Sequence, residues 1–196
     1  MKKSKPKYKQ IIDAAVEVIA ENGYHASQVS KIAKKAGVAD GTIYIYFKNK
    51  EDVLISLFED KMGLLIEKIQ EDIRLKSNVE DKLFSFIHMH FHQLAQDHHL
   101  AIVTQLELRQ SNKQLRLRIN NILKPYLEII DQIVQQGIQE GVIDENIDSR
   151  LVRQMVFGTL DETVTNWVMK EQKYDLVKQA YGVHSLLING LMNKEK

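Results

Sequence analysis

The chain has 196 residues, 44% of them hydrophobic and 27% charged, a composition that fits a soluble globular protein and excludes disordered or fibrous chains. It contains no cysteine, which excludes disulfides, thiolate metal sites and cysteine nucleophiles. No apolar run is long enough for a signal peptide or membrane span, so a cytoplasmic protein without a membrane partner is expected. The net charge of +1 is unevenly spread, because residues 1–50 hold ten lysines and no arginine against four acids, a net +6, and leave the remainder at −5. A basic segment on an acidic body suggests a module facing nucleic acid, although a solvated lysine-rich helix face gives the same count.

Apolar residues recur at helical spacing almost throughout, and Pro6 and Pro125 are the only prolines, so the chain is expected to be all-α. Ile12, Ala15, Val16 and Ile19 share one face of a first helix, predicted over about Lys5–Asn22 and stopped by Gly23. Ser27 is placed to cap a second, short helix that turns Val29, Ile32, Ala33 and Ala36 inward and closes at Gly37. Asp40 is placed to cap a third short helix reaching about Tyr46. Asn49 then opens a long fourth helix, predicted to reach about Lys76, with Glu51 and Asp52 beside the positive end of its dipole. Further helices are predicted over Val79–Gln96, Leu100–Leu108, Lys113–Glu140, Ser149–Lys170 and Asp175–Met192. Pro125 is expected to kink the third of these, and Gly141 to end it. The division expected from charge and pattern is residues 1–50 against residues 51–196.

Residues 27–50, SQVSKIAKKAGVADGTIYIYFKNK, put two short helices around a tight glycine-containing turn. That is the helix-turn-helix arrangement, which lays its second helix in the major groove of DNA. Thr42, Tyr44 and Tyr46 occupy the second helix with Gly41 in its first turn, so residues with polar tips gather where DNA would lie. Hydroxyls and lysines suit phosphates, whereas a threonine methyl or a tyrosine ring suits a thymine methyl or base edge.

The stretch VSKIAKKAGVADGTIYIYFKNKEDV resembles the signature of the TetR family of bacterial regulators. The resemblance implies an N-terminal three-helix DNA-binding domain, a C-terminal helical domain for ligand binding and dimerisation, and a homodimer on a double-stranded palindromic operator. It also implies that Gly41, Thr42 and Tyr44 meet base edges or groove walls, and that Ser27, Ser30, Tyr46 and Lys50 meet phosphates. Phe47 is assigned to the core. Asp40 departs from the basic residue or serine often found there and is read as a cap aimed at backbone donors. Lys2, Lys3, Lys5, Lys7 and Lys9 form either an arm reaching DNA or a solvated tail.

Within the family, AIVTQLELRQSN and RQMVFGTLDETVTNWVM resemble repressors of fatty-acid degradation, which implies release from DNA by long-chain acyl-CoA. The apolar stripes of the C-terminal helices are core by default; only the resemblance makes some of them a tunnel. It places Phe84, Phe91, Val103, Leu106, Leu123, Leu127, Phe157, Leu160, Val164 and Trp167 along the acyl chain and Arg109 at the coenzyme A portion. A salt bridge to Glu107 or Asp161 accounts for Arg109 equally well, and an exposed helix face accounts for Lys113, Arg116 and Arg118. Another hydrophobic effector, such as a drug controlling an efflux pump, remains an alternative.

The last two helices carry more apolar residues than one small subunit needs, among them Val152, Met155, Val156, Leu160, Val177, Tyr181, Leu186 and Leu187. A two-fold, four-helix dimer interface is therefore expected there, with Gly158 admitting a close helix. His88 and His92 share a helix face, but no Glu-x-x-His motif accompanies them, and they are assigned to surface or core. No phosphate loop or nucleophile elbow is present, so neither an enzyme nor a metal or cofactor is expected.

Overall fold

The structure, a computed structural model, describes residues 6–191, so Lys2, Lys3 and Lys5 of the basic arm and the expected terminus at Met192 lie outside the described residues. Among these residues it is all-α. Helix α1 spans Pro6–Ala26, with proline at its first position, where a missing N–H is tolerated. Its helical geometry breaks at Gly23, whose φ of 73° is open to glycine but strained for other residues. Helix α2 spans Val29–Lys35 and closes through Gly37, at φ 62°, with the Val38 amide donating to the Ala33 carbonyl at 3.0 Å. Helix α3 spans Asp40–Tyr46.

The caps expected for α2 and α3 are corrected by the structure. The N-cap residues are Gln28 and Ala39, and neither contributes a side-chain bond. Ser27 lies one residue too early and is fully buried. Its hydroxyl donates backward to the carbonyls of Val18 at 3.1 Å and Gly23 at 2.7 Å. Asp40 sits inside the first turn of α3, where its charge favours the dipole without capping an amide. Asn49 does open α4, Lys50–Arg74, by accepting from the Asp52 amide at 2.8 Å.

Helix α5 spans Val79–Gln96, as its periodicity predicts, and its cap Asn78 accepts from the Asp81 amide at 2.7 Å. Helix α6 spans His98–Glu107, beginning two residues before the predicted start. Helix α7 spans Lys113–Gln139 and runs through Pro125 as one element. Helix α8 spans Ser149–Met169 under an Asp148 cap, and α9 spans Gln179–Leu191, starting later than the predicted Asp175.

The chain forms two compact units. The first runs to Gly63 and adds His98–Ile122; the second is Leu64–Asp97 with Leu123 onward. Residues 1–50 are therefore only part of the first unit, because α6 packs along α1 and joins it. That unit is built on Ile11, Ile12, Ile32, Ile43, Phe47 and Leu54, with the Phe47 ring stacked on Tyr8 at 5.3 Å. In the second, α5 packs against both α8 and α9 around Phe86, Phe91, Leu160 and Trp167. Gly137 packs closely there: a Cβ on it would lie 2.5 Å from Ile143 Cδ1, so the Ile143 side chain would have to shift.

Candidate nucleic-acid interface

Helix α3 is held by its inward residues and presents the rest. Ile43 and the following Phe47 are each 1% exposed, whereas Tyr44 is 58% and Ile45 62% exposed. A seven-residue helix cannot bury two large side chains on its outer face, so it displays an apolar and a phenolic group beside the small Gly41. Among the described residues nothing beyond its own helix backbone and chain neighbours lies within 4 Å of a Cβ placed on Gly41, so a partner can approach the backbone there. Thr42 and Tyr46 are half-buried, and the Tyr46 ring leans on Tyr8 and Phe47 at 6.4 and 6.2 Å. Ser30 is exposed on α2, in the company of Lys31, Lys34 and Lys35.

Two of the residues assigned to phosphates are placed otherwise. Ser27 has no exposed surface, and both its hydrogen bonds fix the turn between α1 and α2. Lys50 turns its ammonium inward, donating to the carbonyls of Tyr24 at 3.1 Å and His25 at 3.0 Å, with the Tyr24 ring 4.6 Å from Nζ. A cation on the last carbonyls of α1 is favourable for the helix dipole, so Lys50 pins the start of α4 to the end of α1. Ile45 was not anticipated as a surface group; its alternation with buried Ile43 and Phe47 was the available signal.

Tyr24 is the meeting point of three elements in this unit. Its amide donates to the buried Glu107 carboxylate at 2.7 Å, and its carbonyl accepts from Lys50. Burial, with Glu51 and Glu107 nearby, pushes the Tyr24 phenol up to about 12. The opposite oxygen of Glu107 accepts from Gln110 Nε2 at 2.6 Å, and Arg116 bonds the Gln110 carbonyl at 2.7 Å. Arg116 is thus committed to the α6–α7 connection. Arg118 meets Asp52 at 3.5 Å.

The residues assigned to an effector fall in both units. Val103 is fully buried in the first, where Leu106 is 49% exposed and Arg109 is exposed. In the second, Phe91, Leu123, Leu160, Val164 and Trp167 are buried, and Phe84, Leu127 and Phe157 half-buried. Trp167 Nε1 donates to the Tyr174 carbonyl at 2.7 Å. Phe157 meets Tyr126 edge-on at 6.2 Å. Phe84 instead faces α9: its ring meets His184 at 5.4 Å and lines an open hollow that Glu80, Asp81 and Asn189 make polar.

Sequence reasoning missed the polar pair inside this apolar set. His90 Nδ1 and the Tyr126 hydroxyl are 3.0 Å apart, both residues are buried, and His90 Nε2 has no hydrogen-bond partner among the described residues. Burial pushes the imidazole down to about 4, so it is neutral at physiological pH. On α8 and α9, Val152, Val156, Leu160 and Leu187 are spent on the subunit's own core, whereas Leu151, Met155, Tyr181 and Leu186 are 50–78% exposed. Among the described residues no atom beyond its own helix backbone and chain neighbours lies within 4 Å of a Cβ on Gly158, which lies in a shallow hollow on the outer face of α8 with Met155 and Thr159. Among the described residues no helix is long and apolar enough to cross a membrane.

This geometry is matched by known proteins over nearly the whole chain. The family model for bacterial regulatory proteins of the tetR family matches residues 11–57, and that for the YsiA-like protein C-terminal region matches residues 58–190. The fatty acid metabolism regulator protein of Bacillus subtilis is 66% identical, over 99% of this chain and all of that protein. Two solved structures superpose with a TM-score of 0.91, each covering 94% of this chain and 99% of the other. They are the transcriptional regulator FadR of Bacillus subtilis in complex with stearoyl-CoA, 66% identical, and the fatty acid degradation regulator FadR of Bacillus halodurans, 61% identical. With family models matching both the N-terminal helix-turn-helix segment and the C-terminal region, the chain belongs to the TetR family of bacterial regulators.

Proposed function

We propose that this protein is a cytoplasmic, non-enzymatic repressor of fatty-acid-degradation genes that binds a palindromic operator as a homodimer and leaves it when long-chain acyl-CoA binds. The observation that carries the reading is full-length similarity to a regulator solved with stearoyl-CoA, on a chain whose α3 displays Tyr44 and Ile45 to solvent. Residues 1–50 are assigned to DNA and residues 51–196 to effector and dimer formation. Gly41, Thr42 and Tyr44 read the groove, and Ser30 and Tyr46 hold phosphates. Ser27 and Lys50 serve that surface by fixing the turn and the start of α4 beneath it.

The dimer forms on the exposed residues of α8 and α9, Leu151, Met155, Tyr181 and Leu186, with Gly158 between them allowing helices to approach. Two-fold symmetry then sets two copies of α3 into successive major grooves, about 34 Å apart. A ligand that prefers a different separation removes the dimer from DNA by its difference in affinity for the two forms. The acyl chain is assigned to the apolar residues named above and the coenzyme A portion to Arg109.

The test is fluorescence anisotropy on a palindrome selected from random DNA, at fixed salt, titrated with stearoyl-CoA, stearate and coenzyme A. Release by stearoyl-CoA alone is the expected result. Tight, specific binding insensitive to all three would leave a DNA-binding regulator with a different effector.

A further inference from the structure

The contact between Glu107 and the Tyr24 amide joins the end of α6 to the end of α1, and its surroundings make it more than a surface bond. Glu107 is 8% exposed, so its carboxylate has given up most of its water and depends on the two donors it meets, the Tyr24 amide at 2.7 Å and Gln110 Nε2 at 2.6 Å. The amide it holds follows Gly23, where α1 breaks with a φ of 73°. The broken segment is then bonded on every side: Ser27 donates to the Gly23 carbonyl, and Lys50 donates to those of Tyr24 and His25. From this segment the chain enters α2, and four residues after α2 closes at Ala36 it enters α3. Glu107 is therefore one of the groups that hold the turn through which the DNA-binding helices leave α1.

On the other side, α6 is the helix that carries Val103 and Leu106, and Arg109 follows it by two residues. Those are effector residues in the reading above, on which this inference rests. A ligand seated against them acts on the same helix end that presents Glu107. We propose that Glu107 is the positioning residue that couples effector binding to operator binding. Bonded to the Tyr24 amide, it holds the α1–α2 turn in the form that fits DNA, and acyl-CoA on α6 draws it away. The exchange is two-sided by its chemistry. A buried carboxylate that loses a donor is unstable unless it moves toward water, so the contact is either made or broken and has no intermediate of low energy.

The first measurement needs no substitution. Hydrogen exchange at the Tyr24 amide, followed with and without saturating stearoyl-CoA, should show protection in the free and operator-bound protein and faster exchange with ligand, with coenzyme A as control. Unchanged protection at Tyr24 under conditions where stearoyl-CoA releases the operator would overturn the proposal. If stearoyl-CoA releases no operator from the unmodified protein, the acyl-CoA reading has failed first, and the two failures are told apart.

The second measurement is a pair of variants. Glu107→Ala removes the acceptor and should weaken operator binding by about tenfold or more, the size expected for a charge-assisted bond that holds one of two forms. Stearoyl-CoA should bind the DNA-free variant at least as tightly as it binds the original protein, because linkage is reciprocal. The further loss of operator affinity on adding ligand should shrink. Glu107→Gln keeps an oxygen for the Tyr24 amide and should recover most of the operator affinity. A folded Glu107→Ala protein with the original operator affinity, or one weakened on DNA but with its full response to stearoyl-CoA, would show that the contact supports the fold and carries no signal.

Discussion

The two compact units differ in how some of their buried polar groups are held. In the first unit Ser27, Glu107 and Gln110 are buried and each is bonded to main-chain atoms, so polar chemistry there fixes the path of the backbone. In the second, His90 and Tyr126 are buried against each other among Phe86, Phe91 and Phe157, and one imidazole nitrogen has no hydrogen-bond partner among the described residues. A unit that must offer a fixed shape to DNA gains from directional bonds to its turns. In the unit assigned to an adaptable hydrophobic ligand, this aromatic cluster is held by packing, and bonds to main-chain carbonyls come from Trp167 and His184 at its edges.

The largest expected effect tests the polar pair. His90 titrates near 4 in the folded protein, below its ordinary value of 6.5, because burial disfavours the charged ring. The unfolded chain therefore takes up a proton at a higher pH than the folded one, and stability falls as pH drops from about 6.5 toward 4. The loss by the lower end is on the order of 3 kcal/mol. His90→Phe removes the titrating group in an apolar shape, so thermal melting between pH 7 and pH 4.5 should lose this part of its slope. An unchanged slope would mean that the acid sensitivity arises elsewhere.

The next effect separates display from support in the first unit. Tyr44 is 58% exposed and Phe47, three residues on, is 1% exposed. Tyr44→Ala should lower specific operator affinity by about 1–3 kcal/mol, the range for a base-reading contact, and leave the melting temperature within the small scatter of surface changes. Loss of affinity for random DNA by the same factor would move Tyr44 from the bases to the backbone.

The architecture was legible in the sequence where pattern and local chemistry agree. The spacing of apolar residues located α5 at both ends, the glycines at 23, 37 and 141 marked helix ends, and Asn49 capped the helix it was assigned to. The display of Tyr44 followed from the helix-turn-helix motif. What sequence could not supply were contacts made over long separations. Glu107 lies 83 residues from the amide it binds, and Lys50 lies 26 from the Tyr24 carbonyl, so in sequence Glu107 reads as a salt-bridge partner for Arg109 and Lys50 as a phosphate contact. Ser27 shows the limit even at short range. Its type and place suit a cap, yet one residue of offset turns its hydroxyl toward the preceding helix.

The smallest expected effect concerns how the helices of the two units begin. In the second unit α5 and α8 start under their own side chains, Asn78 on the Asp81 amide and Asp148 on the amides of Arg150 and Leu151. In the first unit α2 and α3 start at Gln28 and Ala39 with no side-chain bond. Asn78→Ala should therefore cost about 1 kcal/mol of stability, the usual worth of a cap, whereas Gln28→Ala removes no cap and should cost only a few tenths. If the two substitutions cost the same, the difference in capping has no energetic weight. If they separate as expected, the short helices of the DNA-binding motif owe their stability to Ile32, Ile43 and Phe47 beneath them rather than to side-chain caps.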